Sequence, residues 1–175
     1  QLQKEVDKHI GTVVDALAND RNNYRDTIVI YLSDHGEMLG SHGGMFQKWH
    51  NAYDEILKVP FIFHNPTLFD RAQESDILTS HADLIPTMLG LAGLDEAVLA
   101  RELTKSHTQV RRLVGRDLSS VLLGQEPAAK FNSDPVYFMT DDQPFKGSQA
   151  VSTLGLAYQP VEQPNCVETV VAYLP

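Results

Sequence analysis

The sequence predicts an α/β fold in which strands are covered by helices. Short, nearly unbroken apolar runs alternate along the chain with amphipathic segments of helical period. The runs TIVIYL at 27–32 and KVPFIFH at 58–64 are rich in β-branched and aromatic residues, which favours strands buried on both faces, as in a parallel sheet. The chain has 175 residues and 42% hydrophobic content, enough for one domain with a real core. We therefore expect residues 1–175 to form one domain, or part of one, with no internal boundary.

The first helix is predicted at the very start of the chain. Leu2, Val6, Ile10 and Val13 recur at helical spacing with charged residues between them. The helical pattern is already under way at residue 1, and the sequence does not begin with Met, so we expect a fragment that lacks an N-terminal part. A polar loop is predicted at 19–26, before the first strand.

Later elements follow the same alternation. In TSHADLIPTMLGLAG, residues 79–93, Ser80 and Asp83 stand at capping-box spacing, an apolar helical face follows, and Gly93 is a stop signal. GRDLSSVLLG, residues 115–124, predicts a short helix between glycines. Two more strands are predicted at 134–140 and 167–174.

Composition and charge exclude several classes of protein. The chain has 14 Lys and Arg against 23 Asp and Glu, a formal charge of −9, and no basic block, which argues against a nucleic-acid partner. No apolar run approaches the roughly 18 residues that a membrane span requires. The single cysteine, Cys166, excludes an internal disulfide and leaves the cellular compartment undetermined. One or two cations in a pocket could still hold a small anion.

Asp34, His35 and Gly36 come directly after the first predicted strand, where ligands bind in open α/β sheets. A carboxylate oxygen and an imidazole nitrogen can hold a divalent metal such as Ca²⁺, Mn²⁺ or Zn²⁺, provided that the backbone turns, which Gly36 permits. Lys48 follows with a compact positive charge that suits cleavage of a sulfate or phosphate ester. From these residues alone, an ordinary turn after a strand remains the alternative.

A family resemblance extends over most of the chain. TIVIYLSDHGEMLGSHGGMFQKWHNAYDEILKVPFIFHNP, residues 27–66, resembles the sulfatase family of the alkaline phosphatase superfamily. In that family an apolar strand leads to S-D-H-G or S-D-N-G, a glycine- and histidine-containing loop, a lysine and a V-P strand. Residues 80–93 resemble the family's D-x-x-P-T helix, and residues 115–124 resemble its short G-x-S/D-L segment. The resemblance implies the C-terminal part of an alkaline-phosphatase/sulfatase-like mixed sheet flanked by helices.

The resemblance also implies roles for individual residues. Asp34 and His35 would be metal ligands, with Ca²⁺ as the first choice and Mn²⁺ or Zn²⁺ as alternatives. Lys48 would contact the sulfuryl group and the leaving oxygen, and His50 and His42 lie in the same loop, within reach of the substrate. The implied substrate is a small-molecule sulfate ester. His35 stands where many sulfatases have Asn and where phosphonate monoester hydrolases and choline-sulfatase-like enzymes have His, so a phosphonate monoester or phosphodiester hydrolase is the alternative.

One family motif is missing from the sequence. Sulfatases make a formylglycine nucleophile from C/S-x-P-x-R, but Cys166 is followed by Glu168 and Val170 at the Pro and Arg positions, and Ser133 is followed by Tyr137 at the Arg position. We expect the nucleophile and further metal ligands to lie in a missing N-terminal half, and this chain alone to be inactive. A hypothesis of a different class is a non-catalytic anion-binding or assembly module that keeps the pocket around Lys48.

Overall fold

The computed structural model describes residues 2–46, 48, 51–132, 134–141 and 166–173 of the chain. The chain forms two compact units. The first comprises Gln1–Ser33 and Pro60–Ser75, and the second comprises Asp34–Val59 and Asp76–Pro175. Because the second unit starts at Asp34, the candidate site residues that the structure describes all belong to it.

The first unit begins with two helices. Helix α1 (Leu2–Ala18) confirms the helix predicted from the apolar spacing. Helix α2 (Arg21–Asp26) occupies the segment that was predicted to be a polar loop, so that prediction was wrong. Asp20 caps α2, because its carboxylate accepts a hydrogen bond from the Asn23 backbone N–H at 3.3 Å. This cap compensates for the low helix propensity of the asparagines in the segment.

The strands of the first unit form a two-stranded ribbon. Strands β1 (Val29–Leu32) and β2 (Phe61–His64) pair antiparallel, with Leu32 opposite Phe61. The expectation of parallel strands covered on both faces was therefore wrong, and Tyr31 in β1 is 42% exposed. An unbroken apolar run indicates a strand, but it carries no information on the direction in which that strand pairs.

Buried Asn65 fixes the chain that enters β1 and leaves β2. Its amide nitrogen donates hydrogen bonds to the carbonyl oxygens of Arg25 at 2.8 Å and Thr27 at 2.9 Å. Its side-chain oxygen accepts from the backbone N–H groups of Thr67 at 2.8 Å and Leu68 at 2.7 Å. Both donors and both acceptor sites of the amide are used, which explains how a polar side chain only 2% exposed is tolerated here.

In the second unit, the segment from residue 34 to residue 59 folds back on itself around two buried side chains. Met38 is 0% exposed and Ile56 is 5% exposed. Between them, α3 (Ser41–Gly44) is a single turn interrupted by left-handed residues. Ile56 belongs to α4 (Asp54–Leu57), a second single turn. His42 lies in the first of these turns and Glu55 in the second.

Helix α5 (Leu84–Leu91) confirms the helix predicted within residues 79–93, and a 3₁₀ turn at His81–Asp83 precedes it. The predicted capping box is present, since the Ser80 hydroxyl accepts from the first-turn backbone and the Asp83 carboxylate accepts from the Ser80 N–H. Gly93 follows the helix with φ at +68°, a left-handed conformation typical of a helix stop. The sequence signals at both ends of this helix were therefore read correctly.

Asp83 also holds the Gly-Arg-Asp-Leu segment. Its Oδ2 lies 2.8 Å from Arg116 Nη2, and its Oδ1 accepts from the Arg116 backbone N–H at 2.7 Å. The guanidinium also donates to the Leu78 carbonyl oxygen at 2.6 Å, and Asp134 Oδ2 lies 3.5 Å from Arg116 Nη1. Burial lowers the pKa of the Arg116 guanidinium, but the hydrogen bonds and charges of Asp83 and Asp134 outweigh burial and raise that pKa above its usual value.

The predicted short helix between glycines is α7 (Ser119–Leu122). Thr87, which is fully buried, accepts a hydrogen bond from the Leu118 backbone N–H at 3.1 Å and so joins this segment to α5. Gly115 makes the close packing possible, because a Cβ atom there would lie 1.9 Å from the Ala82 carbonyl oxygen. The backbone at residue 115 therefore packs so closely against Ala82 that no side chain fits at residue 115.

The remaining described elements are α6 (Glu96–Leu103), a 3₁₀ turn at Ala128–Phe131, and strands β3 (Val136–Asp141) and β4 (Cys166–Val171). The two strands pair antiparallel in one continuous register and confirm the two strands predicted late in the chain. Across the described parts of the chain, no helix has the length and apolarity that crossing a membrane would require.

Candidate functional site

Asp34 and His35 lie shortly after β1 in the chain and present their side chains together. Asp34 Oδ2 is 3.5 Å from His35 Nε2. The Asp34 side chain is 86% exposed and the His35 side chain 34% exposed, so solvent and solutes can reach both. Adjacent residues in a regular strand would point to opposite faces, and the irregular backbone after β1 removes that restriction.

Gly36 positions His35 through close backbone packing. Its N–H donates to the Ile56 carbonyl oxygen at 2.8 Å. A Cβ atom on residue 36 would lie 1.8 Å from the Glu55 carbonyl oxygen, a distance that no side chain can adopt. Glycine is therefore required here because α4 approaches the backbone, whereas the sequence had suggested only that it allows a turn.

Lys48 contacts His35 although the two residues are thirteen positions apart. The Lys48 ammonium hydrogen-bonds to His35 Nε2, and His35 Nδ1 lies 2.7 Å from the Gly36 carbonyl oxygen. An ammonium group can only donate and a carbonyl oxygen can only accept. When the imidazole is neutral, its hydrogen is therefore on Nδ1, and Nε2 faces Asp34 and Lys48.

Nearby groups keep Asp34 ionised. Partial desolvation raises the pKa of the Asp34 carboxyl group, but the charge of His35 and hydrogen bonds from the backbone N–H groups of His35 and Asp34 outweigh it. The charge of Lys48 acts in the same direction, so the pKa lies below its usual value. The site thus combines a carboxylate, an imidazole nitrogen and an ammonium group.

The geometry of Asp34 and His35 fits shared binding of one divalent cation. Two atoms that bind the same ion at about 2.1 to 2.4 Å lie about 3 to 3.5 Å apart, which agrees with the 3.5 Å between Asp34 Oδ2 and His35 Nε2. The contact from His35 Nδ1 to a backbone carbonyl is a common arrangement for a metal-binding histidine. Within the described ranges, no three His, Cys, Asp or Glu side chains form a group that could hold a metal.

The other predicted residues have different positions. His50 lies outside the described residues, as does Ser133. His42 contacts Glu55, with 3.2 Å between Nε2 and Oε2, and stacks on Tyr53 with ring centroids 3.9 Å apart. No sequence signal marked Tyr53 and Glu55 as partners of His42.

Cys166 is an exposed free cysteine that lies close to carboxylates. It begins β4, and its Sγ lies 3.8 Å from Glu168 Oε1. Partial desolvation raises the pKa of the Cys166 thiol, and the carboxylates of Glu168 and Asp141 raise it further. A raised pKa lowers the fraction of thiolate at neutral pH.

The chain matches the sulfatase family model over residues 1–94, which is more than half of its 175 residues. The match covers Asp34, His35 and Lys48. It therefore includes every candidate site residue that the structure brings together.

Two curated relatives align with about half of the chain. The chain is 40% identical over 91 residues to the uncharacterized sulfatase YidJ of Escherichia coli, covering 52% of this chain and 17% of that protein. It is 38% identical over 93 residues to a Δ4,5-hexuronate-2-O-sulfatase of Bacteroides thetaiotaomicron, covering 52% of this chain and 19% of that protein. The chain thus spans less than a fifth of either relative.

Solved structures resemble more of the chain. A putative sulfatase from Bacteroides thetaiotaomicron superposes with a TM-score of 0.60 and 28% identity, covering 78% of this chain and 26% of that one. A second structure, from work on glycosaminoglycan metabolism by Bacteroides thetaiotaomicron, gives a TM-score of 0.56 with 22% identity, covering 87% of this chain and 27% of that one. The second likeness concerns the fold alone. Together the two structures confirm a partial sulfatase-type α/β fold.

Proposed function

Because the chain belongs to the sulfatase family, we propose that it forms part of a metal-dependent sulfuric ester hydrolase in which Asp34, His35 and Lys48 bind metal and substrate. The observation that carries the proposal is that the Asp34 carboxylate and the Lys48 ammonium both lie close to His35 Nε2. The family membership supports the reaction class, and the proximity of the three side chains supports the proposed assignment of residues.

The proposed ligand atoms are a carboxylate oxygen of Asp34 and Nε2 of His35. Asp34 is ionised at neutral pH, and the hydrogen bond between His35 Nδ1 and the Gly36 carbonyl leaves Nε2 without a hydrogen. The Nε2 lone pair accepts from Lys48 in this structure, so a metal bound there would take the place of that hydrogen bond. A bound divalent cation would act as a Lewis acid on the ester oxygens. Ca²⁺ remains the proposed ion, with Mn²⁺ and Zn²⁺ as alternatives that accept imidazole nitrogen more readily.

Lys48 is proposed to bind the sulfuryl group. Its ammonium group is a point charge held beside His35. Negative charge develops on the ester oxygens and the leaving oxygen during cleavage, and a cation fixed at that place stabilises it without reorganisation. Lys48 would therefore contribute more to the transition state than to the ground state.

The nucleophile is proposed to come from outside this sequence. The 175 residues contain no C/S-x-P-x-R motif, and the chain spans 17% and 19% of the two curated relatives. We propose that a hydroxyl of a hydrated formylglycine in the remaining part of the fold would attack the sulfur while the S–O ester bond breaks and the alcohol leaves with a proton. Sulfate would then leave as the aldehyde re-forms, and water would restore the hydrate. The isolated chain would on this account bind ligands without turning them over.

Metal binding tests the proposed ligand pair. We expect calorimetric titration of the chain with Ca²⁺, Mn²⁺ or Zn²⁺ to show one site, and the Asp34→Ala/His35→Ala variant to bind at least tenfold more weakly. The Asp7→Ala/His9→Ala variant is the matched control, because it removes the same residue types from exposed positions of α1. Equal affinity in the wild type and the site variant would contradict the assignment.

Ester hydrolysis tests Lys48 and the substrate class. In a complete enzyme that contains this sequence, Lys48→Ala is expected to lower kcat for an aryl sulfate by about 10²- to 10³-fold, as removal of a transition-state contact does. Lys4→Ala, at an exposed position of α1, should leave kcat unchanged. His35 in place of the Asn of many sulfatases favours a phosphonate monoester or phosphodiester as the second candidate substrate. A higher kcat/KM for phenylphosphonate esters than for aryl sulfates would select that alternative.

A further inference from the structure

We propose that His42 is a positioning residue, which closes a clasp with Tyr53 and Glu55 and thereby holds Lys48 at His35. The name clasp refers to these three side chains, His42, Tyr53 and Glu55, throughout. The role of Lys48 in ester cleavage rests on the proposed function, whereas the clasp concerns only the geometry of the loop.

Two different interactions form the clasp. The His42 and Tyr53 rings stack with centroids 3.9 Å apart and an interplanar angle of 15°. On its edge, His42 Nε2 lies 3.2 Å from Glu55 Oε2. The two partners lie eleven and thirteen residues beyond His42, so the contacts close the loop that contains Lys48. A stack and a charge-assisted hydrogen bond together fix both the plane and the rotation of the imidazole.

The backbone around His42 requires such a restraint. Leu39 and His42 have positive φ values of 48° and 52°, a backbone region that residues other than glycine rarely occupy. Gly40, Gly43 and Gly44 have positive φ values as well. Residues in this region persist when surrounding contacts over-determine them. The His42 side chain provides those contacts from within the strained turn.

The clasp and His35 share one anchor. Glu55 lies in α4, and the next residue, Ile56, accepts the Gly36 N–H at 2.8 Å. The Glu55 carbonyl packs against Gly36 in the same place. One short turn therefore holds His35 through Gly36 and holds the Lys48 loop through His42. This common support explains how two residues thirteen positions apart are kept in contact.

The charge of Glu55 supports the clasp at neutral pH. Hydrogen bonding from its own backbone N–H lowers the pKa of the Glu55 carboxyl group, and the His42 side chain lowers it further. Both side chains are exposed by more than a third, at 40% for His42 and 37% for Glu55, so the ion pair alone contributes little. The stack with Tyr53 is thus the contact on which the position of His42 depends most.

Acylation of Lys48 in the full 175-residue chain tests the proposal. The rate of modification by an N-hydroxysuccinimide ester, followed at Lys48 by peptide mass spectrometry, should rise at least fivefold in His42→Ala and Tyr53→Leu. In Tyr53→Phe, which keeps the stack, and in the control His9→Ala, the rate should stay within twofold of the wild type. In NMR spectra, the His42 ring protons should show a ring-current shift that Tyr53→Leu removes and Tyr53→Phe retains.

The results of the acylation experiment can be distinguished from those of the experiments that test the proposed function. An unchanged Lys48 rate in His42→Ala, or equal effects of Tyr53→Phe and Tyr53→Leu, would overturn the clasp. Glu55→Gln, which keeps the shape of the side chain, should raise the rate less than His42→Ala, and the reverse order would also overturn it. Thermal unfolding of each variant identifies loss of the fold. Because acylation needs neither metal nor turnover, the clasp can hold when the sulfatase assignment fails, and the metal titration can succeed when the clasp fails.

Discussion

Replacing Asp83 with alanine is expected to lower the free energy of unfolding of the second unit by about 3 kcal/mol. The Asp83 carboxylate is buried and accepts from Arg116 Nη2, from the Arg116 backbone and from the Ser80 N–H. Its removal leaves a guanidinium that is only 21% exposed without its main partner, and it opens the capping box of the 3₁₀ turn before α5. Urea denaturation followed by circular dichroism measures the change.

Asp134→Ala provides the matched control for this substitution. Asp134 also faces Arg116, but its side chain is 48% exposed and lies 3.5 Å from Nη1. An exposed partner of this kind contributes about 0 to 1 kcal/mol. If the two substitutions lower the free energy of unfolding equally, the larger contribution expected from the buried Asp83 carboxylate is contradicted.

Replacing Gly36 with alanine is expected to disrupt both the fold and the site. The new Cβ would lie 1.8 Å from the Glu55 carbonyl oxygen and 2.8 Å from its carbon, and backbone atoms cannot rotate out of the way. The bond from the Gly36 N–H to the Ile56 carbonyl must then open. We expect a loss of about 3 kcal/mol in the free energy of unfolding. Metal affinity should fall too, although Asp34 and His35 are both still present.

Gly11→Ala is the control for the glycine substitution. Gly11 lies inside α1, and an added Cβ there would meet nothing within 4 Å. Because alanine has the higher helix propensity, this variant should gain about 0.5 to 1 kcal/mol of stability and keep its metal affinity. If Gly36→Ala binds metal as the wild type does, the anchoring of His35 by α4 is refuted.

The features that sequence reasoning predicted correctly are local ones. The capping box of α5 depends on Ser80 and Asp83, three positions apart, and the apolar spacing of α1 depends on neighbours within two turns. Asp34, His35 and Lys48 were selected by residue type and by position after a strand; they lie close together in the structure, while their roles in binding metal and substrate stay predictions. Short spacing and residue chemistry are properties that a sequence displays directly.

The features that sequence reasoning missed depend on partners distant along the chain. The antiparallel pairing of β1 with β2, the pairing of Asp83 with Arg116 across thirty-three positions, and the stack of His42 on Tyr53 leave no periodic signal. The helix α2 was missed for another reason, since its asparagines are typical of loops while a single cap at Asp20 decides the conformation.

The anchor at α4 also bears on which changes the sequence can tolerate over evolutionary time. Gly36 is held by the carbonyl groups of Glu55 and Ile56, which every residue type possesses. Point substitutions at these two positions would therefore leave the link to Gly36 in place. Insertion or deletion of one residue between Tyr53 and Ile56 would instead turn these carbonyls by about 100° around the helical turn, away from Gly36. We therefore expect this segment to accumulate substitutions during evolution but to keep its length.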